Sequence, residues 1–359
     1  MKNNLFLDIH AIQTLPPSNI NRDDTGSPKT AQYGGVQRAR VSSQAWKKAM
    51  RDYFKANGQL ENVGQRTLEI VAYVADKLQT LDSNLERDKA MKLAEKCFKD
   101  LKVSLKDQRA EALFFISEQQ AEKLATAIHN GVTDKKELKQ ILKDNPSIDI
   151  ALFGRMVAGN HSLNEDASSQ VAHAISTHAV ATEFDFYTAV DDLKGEGSSG
   201  AGMLGTVEFN SSTLYRYANV AVHELDQQLN NKVAVVNTLK LFIKAFVNSL
   251  PTGKVNTFAN QTIPHSILIS LRKDRPLSLV SAFEKPINST NGYVEQSLKA
   301  LINELKRSEK ILPSASLNLL LDLDDCHLKE DQFEETENLE EMLVQVADFV
   351  TNYLDEAGE

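Results

Sequence analysis

The chain has 359 residues, 42% hydrophobic and 25% charged, with 16 glycines, nine prolines and two cysteines. It is long enough for two ordinary domains or one elaborated one, and too evenly mixed for a disordered or fibrous protein. Its net charge of −9 is uneven, since residues 322–359 hold 14 acids against one lysine and leave 39 basic and 35 acidic residues elsewhere, so the acidic average does not exclude a nucleic-acid partner.

Cys97 and Cys326 form no CxxC pair, which excludes a disulfide framework and a thiolate zinc site and points to a reducing cytoplasm. The first residues lack a signal-peptide apolar region and no later run reaches membrane-span length, so no membrane association is expected. Leu5, Leu7, Ile9 and Ala11 alternate with Phe6, Asp8, His10 and Ile12, the period of a strand with one face on a core. A long loop rich in proline and glycine follows, from Pro16 to Gly35. Arg38 and Arg40 then alternate with Gln37, Ala39 and Val41, which predicts a short strand with one cationic face. Ser42 or Ser43 can cap a helix that sorts Ala45, Trp46, Ala49, Met50, Tyr53 and Phe54 to one side and Lys47, Lys48, Arg51 and Lys55 to the other.

From about residue 60 to 182 the periodicity is helical, with segments near 67–80, 85–99, 108–129, 134–144 and 167–182. Strand character returns at 183–190, 206–209 and 213–223. Between them, five of the 16 glycines lie within Leu193–Gly205. A buried helix over 236–250, a strand at 267–271 and a helix at 293–309 follow. Leu339, Met342, Leu343, Val346 and Phe349 place the acidic tail on the outer face of a helix. This order suits a split βαβ sheet with a helical block inserted after its first helix.

The strongest constellation runs from Asn21 to Arg51, where eight Lys or Arg lie within residues 22–55 against three Asp. A helix N-terminus behind two serines offers unpaired N–H groups to phosphate, and Lys47 and Arg51 extend that charge. The same pattern also fits the ordinary solvated face of an amphipathic helix. The glycine-rich segment lacks the Gly-Lys-Ser/Thr of a phosphate loop, so it is either a hairpin closing over a ligand or a surface loop. His161, His173 and His178 have no metal-binding spacing. The acid pairs Asp23-Asp24 and Asp191-Asp192 could hold a divalent ion, but adjacent acids in loops are commonplace. No catalytic or dinucleotide fingerprint is present, and neither a cofactor nor a metal is expected.

Asn21-Arg-Asp-Asp24, Tyr33-Gly-Gly35 and Arg38-Ala-Arg-Val-Ser-Ser-Gln44 resemble the CasC family, the backbone subunit of the type I-E CRISPR surveillance complex Cascade, in the RAMP superfamily. Asp149–Met156, Ala172–His178, Phe186–Leu193, Leu214–Asn219, and Pro276-Leu-Ser with Ala282–Lys285 continue the resemblance in the same order. It is weakest over 57–145 and in the acidic tail. The resemblance implies an α+β fold: an RRM-like (ferredoxin-like) palm, a helical fingers insertion and a β-hairpin thumb. The expected segments are palm at 1–58, fingers at 59–182, a palm strand at 183–192, thumb at 193–223, palm again at 224–321 and an acidic tail at 322–359.

It also implies a non-enzymatic subunit whose partners are the crRNA guide, target DNA through that guide, neighbouring copies of itself in a helical array, and other Cascade subunits. Arg22, Lys29, Arg38, Arg40, Ser42, Ser43, Gln44, Lys47, Lys48, Arg51 and Arg155 would then face the guide. Met156 from the fingers and Met203, Leu204 and Thr206 from the thumb would wedge at a displaced base where the guide is kinked. Related subunits of type III complexes cut target RNA with an acid in the loop matching 18–30, so a Mg-dependent nuclease acting through Asp23 or Asp24 is the alternative. In the DNA-targeting subtype these acids would instead pair with Arg22 or a neighbouring subunit.

Overall fold

The computed structural model describes residues 4–58, 63–144, 146–157, 159–189, 203–324, 326 and 333–356. A mixed fold is built on one large sheet whose strands run, from one edge, Glu334–Glu335, Leu317–Asp322, Ser266–Arg272, Phe6–Ser18, Met203–Ala221, Ala174–Ser176, Val36–Val41 and Thr30–Tyr33. The Leu317–Asp322 and Glu334–Glu335 pair is parallel, and the other neighbours are antiparallel. The two long strands at the centre explain why their sequences are so apolar: each is hydrogen-bonded on both sides and covered on both faces.

One face of the sheet buries Leu7, Ile9 and Ala11 with Leu214, Ala218 and Val220 against the helices Ser43–Asn57, Lys232–Asn248 and Leu339–Glu356. The tail therefore forms a helix, and it turns Met342, Leu343, Val346 and Val350 inward. Lys244–Glu340 and Lys232–Asp355 ion pairs tie it to the helix beneath. The block from Ile70 to Leu163 has its own core, in which Ile70, Val74 and Leu78 meet Phe98, Phe114 and Leu124. Among the described residues no helix is long and apolar enough to cross a membrane.

Three sequence expectations need correction. The helix expected over 167–182 is absent: Ser169–Val171 and Ala174–Ser176 are strands on Met203–Ala221, and Ala174–Ser176 also takes Val36–Val41 on its other side. Backbone partners on an existing sheet outweigh a short stretch's helical periodicity. Within 108–129 only Glu118–His129 is helical, because Phe114–Ile116 pairs with Gln65–Thr67 and Arg109–Ala110 with Leu105–Lys106. The stretches expected as separate strands at 206–209 and 213–223 form one strand, Met203–Ala221. Its first half pairs with Glu183–Ala189 and its second half lies in the main sheet, so the projecting hairpin arm begins at Glu183 and ends near Phe209.

The first strand also departs from the one-sided burial that its alternation predicts. Helix Val294–Ser308 and the turn Val280–Phe283 cover its second face, which buries Asp8 and His10 completely. Tyr217 Oη donates to Asp8 Oδ1 at 2.7 Å, the Leu277 N–H donates to Oδ2 at 3.1 Å, and His10 Nδ1 meets Tyr215 Oη at 2.9 Å. Burial raises the Asp8 carboxyl to about 7 and lowers the His10 imidazole to about 3, the latter helped by nearby Arg272.

These shifts act on stability with opposite signs. Between about pH 4 and 7 the folded chain holds a proton on Asp8 that the unfolded chain has lost, so the Asp8 contribution falls as pH rises. Between about pH 3 and 6.5 the unfolded chain holds a proton on His10 that the folded chain lacks, so that contribution rises with pH. The two nearly cancel. Asp8→Asn is expected to leave a stability curve that climbs across this window, and His10→Gln one that falls, in urea titrations at stepped pH. Parallel curves for wild type and both variants would refute the assignment.

Candidate functional site

The expected cationic residues sort by position into a root, a cleft and two buried anchors. At the root of the hairpin arm, Lys29 and Arg40 line a shallow depression with Asn19, Asn210 and Ser212. Arg40 Nε donates to the Thr30 carbonyl at 3.1 Å, and its Nη1 lies 3.2 Å from His173 Nδ1. Burial, with Arg40 and Lys29 nearby, holds His173 below its ordinary pKa, which favours its neutral form beside these cations.

The loop ahead of this root is folded by its own side chains. Asn19 Nδ2 donates to the carbonyls of Gly26 and Glu208, at 3.0 and 2.9 Å, fastening the loop to the arm. Asn21 Oδ1 accepts the Ser42 N–H at 2.8 Å, and Ser42 caps the helix by accepting from the Ala45 N–H. Ser43 and Gln44 follow, with Gln44 exposed. Asp23 does not pair with Arg22: its Oδ1 accepts from the Thr25 N–H, the Thr25 hydroxyl and the Ser27 N–H. The Thr25 hydroxyl bond above all holds its carboxyl below the ordinary range. It is the carboxylate of an Asx turn. Among the described residues no three His, Cys, Asp or Glu side chains group as metal ligands.

Along the helix, Gln44, Lys47, Lys48 and Arg51 form one wall of a cleft of about 420 Å³ that Arg66, Leu113 and Phe115 also line. Lys48 pairs with Asp52 in solvent. Lys47 Nζ lies 5.6 Å from the Phe153 ring centre, and burial lowers its pKa. Arg51 is fixed rather than solvated: its guanidinium stacks 4.9 Å from the Phe115 ring centre, and Nε sits 3.6 Å from Asp149 Oδ2. Asp149 is fully buried and accepts the Gly64 N–H and the Ser147 hydroxyl on its other oxygen.

Two residues expected at the guide are interior. Strand alternation predicts that Arg38 shares a cationic face with Arg40, yet it is fully buried, donating to the carbonyls of Tyr33, Ser176 and Phe283. Arg155 is likewise buried and bonds to the carbonyls of Leu163, Phe115 and Leu142 and to Gln120 Oε1. A guanidinium's several donors can satisfy carbonyls from separate segments at once, and strand alternation does not reveal that use. Met156, one residue on, is 82% exposed. The turn at Gly154, with φ +75°, ends the Ile148–Phe153 helix just before this pair.

On the arm, Leu204 faces Thr188 and Thr206 faces Phe186, whereas Met203 pairs with Ala189 beside Tyr187. Alternation therefore puts Leu204 and Thr206 on one face with Phe184 and Phe186, and Met203 on the other. The expected single wedge of Met203, Leu204 and Thr206 is divided between two faces. The glycine-rich tip and Asp191-Asp192 lie outside the described residues. Sequence reasoning singled out Asn21, Asp149 and Phe153 only as parts of motifs and not for the contacts they make here, and it missed Asn19 and Phe115. The two asparagines carried a signal, since Asx side chains fold loops around themselves.

The sequence model of the CT1975-like protein family matches residues 7–345. A chain of the pre-nicking CRISPR RNA-guided surveillance complex superposes with a TM-score of 0.83 at 30% identity, covering 96% of this chain and 100% of that one. A chain of a second CRISPR RNA-guided surveillance complex gives a TM-score of 0.63 at 28% identity, covering 95% and 99%. No curated protein matches by sequence.

Proposed function

The chain belongs to the CT1975-like protein family, and we propose that it is the guide-RNA-binding backbone subunit of a Cascade-type surveillance complex. The observation that carries this reading is the end-to-end likeness to a surveillance-complex chain, with both chains covered almost completely. Lys29, Arg40 and Lys47, none of which is in an ion pair among the described residues, support it. In this reading the guide's phosphates run from the root of the arm along the helix Ser43–Asn57, with Arg22, Ser43, Gln44, Lys48 and Arg51 beside them. Contacts of this kind recognise backbone shape and leave sequence to base pairing with target DNA.

The central strand order Ser266–Arg272, Phe6–Ser18, Met203–Ala221, Ala174–Ser176, with helices Ser43–Asn57 and Lys232–Asn248 on one face, favours the RRM-like palm. The fingers are then the block inserted between palm helix and palm strand, and the thumb is the arm from Glu183 to Phe209. That arm would cross the RNA toward a neighbouring copy in a helical array, kink the guide there and leave other Cascade subunits to cap the ends. The subunit is read as non-enzymatic and cytoplasmic, and Asp23 as the organiser of its own turn in place of a nuclease acid.

Replacing Lys47 and Lys48 by Ala tests the reading. Neither holds the fold together, so melting temperature is expected to stay put while RNA affinity drops equally for unrelated sequences. The slope of log K against log salt is expected to fall by about 0.7 for each phosphate that is no longer neutralised. Sequence-dependent weakening, or wild-type protein without RNA affinity, would overturn the proposal.

A further inference from the structure

The cleft has a second wall that the guide path above does not use. It comes from the small sheet of the fingers, where Gln65–Thr67 pairs with Phe114–Ile116. Arg66 projects from it as an exposed side chain, and Leu113, just before the partner strand, is 50% exposed. Both line the same cleft as Lys47, Arg51, Phe115 and Met156. Among the described residues Arg66 has no carboxylate partner, whereas Arg87 and Arg109 of the same block pair with Asp76 and Glu69.

We infer that this cleft is a nucleotide subsite, in which Arg66 clamps a strand phosphate from the side opposite Lys47 and Arg51, and Leu113 with Met156 grips the adjoining base. The inference rests on the RNA-binding reading and deepens it. Three features converge. Arg66 and Lys47, cations from two separate elements, face one gap with no acid paired to either, which suits an anion that spans the gap. Two large apolar side chains stand exposed beside them over an aromatic floor, and an unpaired base is the part of a nucleic acid that can cover such a surface. Glu165 and Asp166 line the cleft as well. They disfavour a second phosphate in the same cleft.

The strand in the cleft is the guide or the strand paired to it, and the two sources are separable. Wild type, Arg66→Ala and Leu113→Ser would be titrated with a fluorescein-labelled single-stranded RNA, and the RNA-loaded proteins then with complementary DNA. Nuclease footprints would be taken at each stage. Arg66→Ala is expected to weaken binding about fivefold, the size of a single phosphate interaction at moderate salt, and to lower the salt slope by about 0.7. Leu113→Ser is expected to keep the salt slope and open one periodic position of the footprint. Effects with RNA alone assign the cleft to the guide; effects that emerge only with the DNA assign it to the paired strand. If both variants matched wild type at both stages while the Lys47 and Lys48 replacement weakened binding, the subsite would be refuted and the RNA-binding reading would stand. Wild-type protein that bound no RNA would remove both.

Discussion

Arg155→Ala is expected to melt the block from Ile70 to Leu163 that has its own core, while Met156→Ala, one residue away, leaves its stability within experimental error. The contrast follows from what each side chain touches. Arg155 satisfies three backbone carbonyls and Gln120 Oε1, drawn from the strand Phe114–Ile116, the helices Glu118–His129 and Lys135–Lys143, and the turn at Leu163. Alanine removes the guanidinium from all four; the Leu142 carbonyl keeps the Gln120 amide and Gln120 Oε1 keeps the Ser117 N–H. The loss therefore falls mainly at the Leu163 and Phe115 carbonyls, and at about 1–3 kcal/mol for each buried acceptor that loses its donor a total of about 3 kcal/mol is expected. Burial also lowers the Arg155 pKa to about 10, which leaves it charged at neutral pH. Hydrogen exchange checks the prediction: amides of Phe114–Leu163 are expected to lose protection in Arg155→Ala, and those of the central strands to keep theirs. Wild-type exchange in that block with weakened RNA binding would return Arg155 to the RNA-facing role that the family resemblance implies.

Gly34→Ala is the second large effect, with Gly35→Ala as its control. Tyr33-Gly-Gly-Val36 is a two-residue hairpin turn with φ of +60° at Gly34 and +80° at Gly35. Positive φ at both central positions is the demand of the tight hairpin turn, and an alanine there costs about 1–2 kcal/mol. A Cβ at Gly35 meets nothing within 4 Å, so that cost is all that is expected. A Cβ at Gly34 would lie 1.6 Å from the carbonyl oxygen of Glu284, a backbone atom with no side-chain freedom to yield. The segment around Phe283, which also accepts from Arg38, must then move. We expect Gly34→Ala to lose about 3 kcal/mol or more, well beyond Gly35→Ala, in matched urea unfolding curves. Equal losses would show that the turn does not dock on that segment.

Local elements with long, unambiguous apolar periodicity were legible from the residues alone: the opening strand, the helix after Ser42, the helices near 70–80, 87–100, 135–143, 232–248 and 294–308, and the amphipathic tail helix. So were the ordered motifs by which the family could be recognised. Each of these is a property of neighbouring residues, which is what periodicity and short motifs record. Which polar residues are surface and which are core depended instead on distant parts of the chain. Arg38 and Arg40 are two residues apart on one strand, yet one is sealed by the loop from 283 to 284 and the other is half-exposed beside His173. Arg155 and Met156 differ in the same way. Asp8 and His10 look like the wet side of a strand until a helix almost 300 residues further on covers them. The strands near 169–176 were hidden because their partners lie at 36–41 and 203–221, and a strand of three residues is stable only when those partners are already in place. The cleft itself joins Lys47 to Arg66 and Leu113 across two separate cores, a juxtaposition set by chain topology, with the Arg51–Asp149 ion pair tying the helix Ser43–Asn57 to the helix Ile148–Phe153 on one side of it.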